Sequence, residues 1–312
     1  MNNFLTEVLQ DLGAKPKSLR SKYFYDEVGD KLFQEIMNCN EYYPTTCEAE
    51  ILESKAEVIA RTLRNGFDCF DLLELGAGDA TKTTFVLKEL VAQGLQMTYM
   101  PVDISANIIE YLNSSLSSKI PGLIVEGLHG EYFEMVDEAN RRSTNHKAVL
   151  FLGGNIGNMP PDQALVFCKK LATSLQKGDL VLLGFDLKKN PAVIRAAYSD
   201  SGGLTKAFNL NLLTRINKEL DGNFDVSKFE HYASYDPATG ACKSFLISLK
   251  PQEVIISGNK FHFDQDEYIY MEISQKYSLE EINGMAREAG FTIVEHFFDS
   301  KQWFLDTVWR VV

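Results

Sequence analysis

The run Glu74-Leu75-Gly76-Ala77-Gly78-Asp79 is where residue type and spacing first point to chemistry. Two glycines one residue apart, directly after an apolar run, permit a tight turn and let the backbone approach a ligand closely. Glycines at strand ends are also ordinary punctuation, so the turn alone leaves a binding use and a structural use open. It is not a dinucleotide fingerprint, because Thr81 stands where G-x-G-x-x-G/A requires a third small residue, and the chain contains no G-x-x-x-x-G-K-[ST] phosphate loop. The cysteines Cys39, Cys47, Cys69, Cys168 and Cys242 are scattered, with no C-x-x-C pair and no histidines at ligand spacing. Reduced thiols in structural roles, and no metal, are expected.

A binding turn of this kind needs a strand before it and a helix after it. Asp71 to Leu75 predicts the strand; Thr81 to Leu95, with Phe85, Val86, Leu87 and Leu90 apolar, predicts the helix. The alternation continues through a strand at 97–103, a helix at 106–116, strands at 122–126 and 147–153, a helix at 161–175 and a strand at 179–185. Short apolar runs alternating with amphipathic stretches mark βαβ units and a parallel sheet, whose ligands bind at the carboxyl ends of the strands. Residues 1–65 read as mainly helical. Residues 187–265 carry helical patterns at 191–198 and 204–220 and then β-rich sequence. The chain ends as a helix at 279–289 and strands at 292–298 and 302–311, an antiparallel pair able to complete the sheet.

Across 312 residues, 43 acidic against 31 basic side chains give a formal charge of -12. The overall field repels polyanions, so neither nucleic acid nor an anionic membrane is an expected partner. No stretch reaches the roughly 18 apolar residues of a membrane helix, and Met1 to Lys17 lacks an apolar signal core. The expectation is a cytoplasmic monomer acting on a small molecule. No repeat, low-complexity tract or Gly/Ser linker interrupts the chain, so a second domain should be an elaboration packed onto the first.

An acidic strand end followed by G-x-G resembles the cofactor turn of S-adenosylmethionine-dependent methyltransferases of the Rossmann-like class. The resemblance implies that Gly76 and Gly78 let the backbone meet the methionine end of the cofactor. It implies too that Asp103, closing Tyr99-Met100-Pro101-Val102-Asp103, accepts from the two ribose hydroxyls. Glu131 would meet the adenine amino group, Tyr132 would pack on its ring, and Lys82 would reach the cofactor from the start of the helix. Plainer uses stay open: Asp103 or Ser105 could cap the next helix, and Lys82 could be solvated.

Further strings sharpen the resemblance. Tyr23-Phe24-Tyr25-Asp26, Glu41-Tyr42-Tyr43-Pro44-Thr45, Gly153 to Asn158 and Glu272-Ile273-Ser274 occur together and in order, and with them the chain resembles the L-histidine Nα-methyltransferases from about Pro16 to its end. That family forms the trimethyl betaine hercynine, the first step toward ergothioneine. By this resemblance Tyr25, Tyr42, Asn158 and Tyr198 hold the backbone end of the amino acid, and Glu272 and Ser274 bind its imidazole. Tyr25, or water, would also take part when the amine loses its proton. The residue types suit the task, because a bound histidine offers a carboxylate, an amine and two ring nitrogens, each needing a buried partner. In isolation the tyrosines could be half-buried aromatics, Asn158 a helix cap, and Glu272 and Ser274 the solvated side of a strand.

Four positions depart from the family pattern: Gly154 and Asn155 precede Ile156-Gly157-Asn158 where small hydroxyl residues are usual, Glu131 replaces an aspartate, and Ser244 stands where a methionine is expected near the substrate ring. The expected fold is α/β, a Rossmann-like class I methyltransferase sheet with a helical N-terminal region and an inserted substrate-binding α+β domain. Expected boundaries are 1–65 for the helical region, 66–186 for the cofactor core, 187–275 for the insertion and 276–312 for the completion of the sheet. Two other functions stay in view: methylation of another amino acid or small amine, and a non-catalytic S-adenosylmethionine-binding module. The second has no use for Tyr25, Asn158 and Glu272.

Overall fold

The protein is described by a computed structural model covering residues 3–67, 69–94 and 96–312. Met1, Asn2, Asp68 and Leu95, which fall within the expected N-terminal region, core and first core helix, lie outside the described residues. The chain divides into two compact units, one of Met1–Tyr43 with Lys189–Ser274 and one of Pro44–Lys188 with Gln275–Val312.

In the second unit the strands Lys147–Phe151 and Leu180–Asp186 are buried at every position. Strands covered on both faces are what a parallel sheet sandwiched by helices requires. Among the described residues the sheet has eight strands. Its order is Phe291–Phe298, Phe304–Val311, Leu180–Asp186, Lys147–Phe151, Cys69–Leu75, Gln96–Asp103, Ile124–Val125, with Leu128–His129 also paired to Gln96–Asp103. The pairings from Leu180–Asp186 through Leu128–His129 are parallel, and Phe304–Val311 runs antiparallel to both its neighbours. This is the Rossmann-like class I arrangement, and it carries one continuous core from Leu73 and Val149 to Trp309.

Some element ends differ from expectation for local reasons. The strand expected at 147–153 stops at Phe151 because Gly153 and Gly154 take φ of 75° and 67°. Of the strand expected at 122–126 only Ile124–Val125 forms, and a second short piece, Leu128–His129, follows it. The helix expected from Thr81 begins at Thr83, since Ala80 has φ 54° and Thr81 N donates to Asp79 Oδ1 at 2.9 Å, closing a turn first.

The first unit holds the helices Asn3–Gly13, Glu27–Met37, Pro191–Ala197 and Leu204–Glu219. With them is a sheet in the order Lys17–Ser18, Tyr268–Gln275, Ala241–Ser248, Phe229–Tyr235. A hairpin of Gln252–Ile256 and Asn259–Phe263 completes the unit, and a separate core runs from Phe4 and Val8 to Ile269 and Met271. Among the described residues no helix is long and apolar enough to cross a membrane.

Candidate active site

Strand order reverses between Cys69–Leu75 and Lys147–Phe151: the first leads outward to Gln96–Asp103, the second to Leu180–Asp186 on the other side. Open α/β sheets bind ligands in the crevice at such a switch point. A glycine turn follows each of these strands, and Gly76, Ala77, Lys82, Leu152, Gly153 and Asn155 are among the residues lining a cleft of about 80 Å³ there.

Gly76 has φ 74°, and a Cβ on it would stand 2.9 Å from Tyr132 Oη, so both conformation and space demand glycine. Gly76 N and Ala77 N donate to Val102 O at 2.8 and 3.1 Å, which fixes the turn against the neighbouring strand. Asp103 accepts from Gly78 N at 3.2 Å and from Ser105 N at 2.9 Å, one bond to each carboxylate oxygen. Ser105, not Asp103, caps the Ala106–Lys119 helix. Each Asp103 oxygen keeps acceptor capacity, and a carboxylate beside a glycine cradle fits a ribose diol.

Tyr132 packs edge-on against Phe151 with ring centroids 5.6 Å apart. Burial, with Asp103 and Glu131 nearby, pushes its hydroxyl up to about 12, so it remains a donor. Glu131 is exposed at the N-cap position of the Tyr132–Arg142 helix and makes no side-chain cap bond. Lys82 pairs with the fully buried Glu48. Burial alone would lower the Lys82 pKa, but the charge and hydrogen bond of Glu48 raise it instead. Glu74, at the end of its strand, accepts from Thr83 Oγ1 at 2.6 Å and from Tyr99 Oη. Burial pushes its carboxyl up to about 7 against the pull of those two bonds. Asn158 is exposed at the end of the short turn Asn155–Asn158 and does not cap the following helix, where Pro160 holds the N-cap position.

In the other unit, Tyr198 Oη lies 2.7 Å from Ser274 Oγ. Tyr42 meets Tyr198 edge-on at 6.0 Å, Phe33 meets Tyr42 at 6.5 Å, and Tyr25 meets Phe33 at 5.5 Å. Tyr25, Tyr42, Tyr198 and Ser274 therefore form one contiguous cluster, with Phe33 as the joint. Glu272 precedes Ser274 by two on the Tyr268–Gln275 strand and shares its face, while Ile269, Met271 and Ile273 are buried on the other. Asp26 caps the Glu27–Met37 helix through Gly29 N at 2.7 Å and accepts from Asn211 Nδ2 at 2.8 Å, which anchors the segment carrying Tyr25. Glu41 accepts from Cys39 Sγ at 2.9 Å and Ser201 Oγ at 2.7 Å. Those bonds pull its carboxyl down to about 2 and tie the Tyr42 loop to the segment following Tyr198.

The reading of Ser244 as a replacement near the substrate ring is corrected by strand alternation. Its neighbour Phe245 meets Tyr268 and Tyr270, at 5.3 and 5.9 Å, on the Glu272 face. Ser244 points to the opposite face and is buried, with His231 Nε2 at 3.3 Å. Burial pushes His231 down to about 4, so its ring is neutral. Among the described residues no group of three or more His, Cys, Asp or Glu is placed to hold a metal ion, and none of the five cysteines forms a disulfide.

Sequence reasoning misses Phe33, Glu48 and the bonds of Glu41 to Cys39 and Ser201. The first looks like any core aromatic. Glu48 does carry a signal, an acid on the same helical stripe as the buried Ile51 and Leu52.

Comparison with known proteins covers both units. The chain matches, over residues 4–311, the family described as histidine-specific methyltransferase, SAM-dependent. It is 34% identical over 287 residues to the histidine N-alpha-methyltransferase of Mycolicibacterium smegmatis, covering 91% of this chain and 87% of that one. It is 33% identical over 295 residues to the protein of the same name from Mycobacterium tuberculosis, covering 94% and 90%. An L-tryptophan methyltransferase of Psilocybe serbica is 29% identical over 322 residues, covering 94% and 89%. Since the family match runs through the glycine turn and the tyrosine cluster alike, the chain belongs to the histidine-specific, S-adenosylmethionine-dependent methyltransferases.

Proposed function

We propose that the protein methylates the α-amino nitrogen of L-histidine, in successive rounds to the trimethyl betaine. The observation that carries this reading is the contact of Tyr42, Tyr198 and Ser274, with Glu272 on the same strand face. Hydroxyls donate to a carboxylate, and an acid beside a hydroxyl matches the two nitrogens of an imidazole. We assign Tyr25, Tyr42, Tyr198 and Asn158 to the amino acid's backbone end, Glu272 and Ser274 to its ring. Gly76, Gly78, Lys82, Asp103, Glu131 and Tyr132 are assigned to the cofactor.

When bound, S-adenosylmethionine supplies the methyl group from a sulfonium. What the chain contributes is position, because in-line transfer requires reacting atoms about 3 to 3.5 Å apart and aligned. The substrate amine is largely protonated at neutral pH, with a pKa of roughly 8 to 9, and must first lose a proton. Tyr25 is 47% exposed, so its hydroxyl can pass that proton to water. Its ring is held by Phe33 and Phe208 at 5.5 and 5.7 Å.

The same reading has the enzyme act in the cytoplasm as a monomer; light scattering that gives the mass of two chains would overturn the second point. Glu272→Ala is expected to raise KM for histidine about tenfold or more by leaving an imidazole N–H unpaired. Its affinity for S-adenosylhomocysteine should stay unchanged in calorimetry, and equal loss of both would contradict the assignment.

A further inference from the structure

Behind the cofactor cleft lies a buried set of charges that methyl transfer itself does not use. Glu48, on the Tyr43–Ser54 helix, is 0% exposed. One of its oxygens accepts from Gly153 N at 2.5 Å and the other from Lys82 Nζ. Gly153 and Lys82 both line the cleft. A single carboxylate thus ties together the turn after Lys147–Phe151 and the lysine after the Gly76 turn, on opposite sides of the switch point.

The fold makes room for it. A Cβ on Gly184 would meet Glu48 Oε1 at 2.6 Å and Asp306 Oδ1 at 3.1 Å, so only glycine at that place in the sheet admits both carboxyl groups. Asp306 pairs with Gly184 across the antiparallel strands and is 0% exposed, and neither of its oxygens has a hydrogen-bond partner among the described residues. Two buried carboxylates beside one ammonium cannot both ionise without large cost. Glu48, with two donors, holds the charge, and Asp306 keeps its proton: burial and the Glu48 charge both push the Asp306 carboxyl well above its ordinary range.

We infer that Glu48 is a positioning residue of the cofactor site, its carboxylate fixing the Lys82 ammonium and the Gly153 amide at the cleft wall. This rests on the reading that the cleft beside Gly76 holds the cofactor. Glu48→Gln keeps an acceptor for Gly153 N and removes the charge that holds Lys82. Asp306→Asn replaces a neutral acid with its isostere.

The test is calorimetry with S-adenosylhomocysteine, alongside kcat and KM. Glu48→Gln should weaken binding about tenfold or more and raise KM for the cofactor more than it lowers kcat, as expected when one partner of a buried charge pair is removed. Asp306→Asn should stay within about twofold of the parent, since no charge is lost. Asp103→Ala marks the cleft. If it weakens binding and Glu48→Gln does not, the inference fails while the cleft assignment stands; if neither weakens binding, the cleft assignment fails. A larger loss from Asp306→Asn than from Glu48→Gln would reverse the charge assignment and overturn the inference. Should Glu48→Gln not fold, the double variant Glu48→Gln with Lys82→Met removes both charges together, and parent-like affinity in it would overturn the inference equally.

Discussion

A carboxyl pushed up toward neutrality stands in the wall of the cleft beside Gly76. Glu74 is buried and pushed up to about 7 from an ordinary 4.5. A raised folded-state pKa means a contribution to stability that is fully present below the unfolded value and is lost as pH rises through the folded one. The window therefore runs from about pH 4.5 to somewhat above 7. Urea denaturation across it should show the parent losing up to about 3 kcal/mol relative to Glu74→Gln. A difference that stays flat with pH would contradict the assigned burial cost. Residues of this kind separate what a sequence discloses from what it does not. The place of Asp103 is legible because it closes a strand beside a glycine turn, where its carboxylate accepts from Gly78 N and Ser105 N. Glu48 is not, because its partners Gly153 and Lys82 are far away in the chain and meet it only through the sheet.

Among the helices and strands, Glu27–Met37 shows how a short string fixes a functional side chain. Asp26 caps this helix, and Gly29 follows in the first turn, where a Cβ would fall 1.8 Å from Phe24 O. Gly29→Ala must displace the segment carrying Tyr25. It should cost about 1–3 kcal/mol in stability, the usual range for overpacking, and raise KM for histidine. Unaltered thermal stability would show that the segment gives way easily. The core strands are legible because full burial imposes unbroken apolar runs. The split strand around Gly127 is not, since Ile124 is 55% exposed and pairing there is brief. The final helix announces itself through Ser278 and Glu281, which form a capping box.

Across the full chain, the division into units falls between Tyr43 and Pro44, inside the Glu41-Tyr42-Tyr43-Pro44 string. No change of composition marks it, and helices that read alike in sequence serve different units: Phe4, Val8 and Ile36 enter one core, while Glu48 is buried in the other unit and binds Gly153 N in the wall of its cleft. The family pattern singles out a candidate site where the residues alone do not, because each tyrosine gains meaning only beside the others. If the cleft is the cofactor site, saturating S-adenosylhomocysteine at about 100 times its Kd should stabilise the fold by about 2.7 kcal/mol. A thermal shift should register this in the parent and be much reduced in Asp103→Ala. An equal shift in both would move the cofactor elsewhere.

Methylation of the histidine amine by this chain can be read in one experiment: mass spectrometry of the purified protein incubated with S-adenosylmethionine and each of the twenty amino acids, tryptophan included. Histidine alone is expected to gain mass, in steps of one methyl up to three, with the charge fixed on nitrogen. Transfer to another amino acid in preference, or none to histidine, would contradict the assignment.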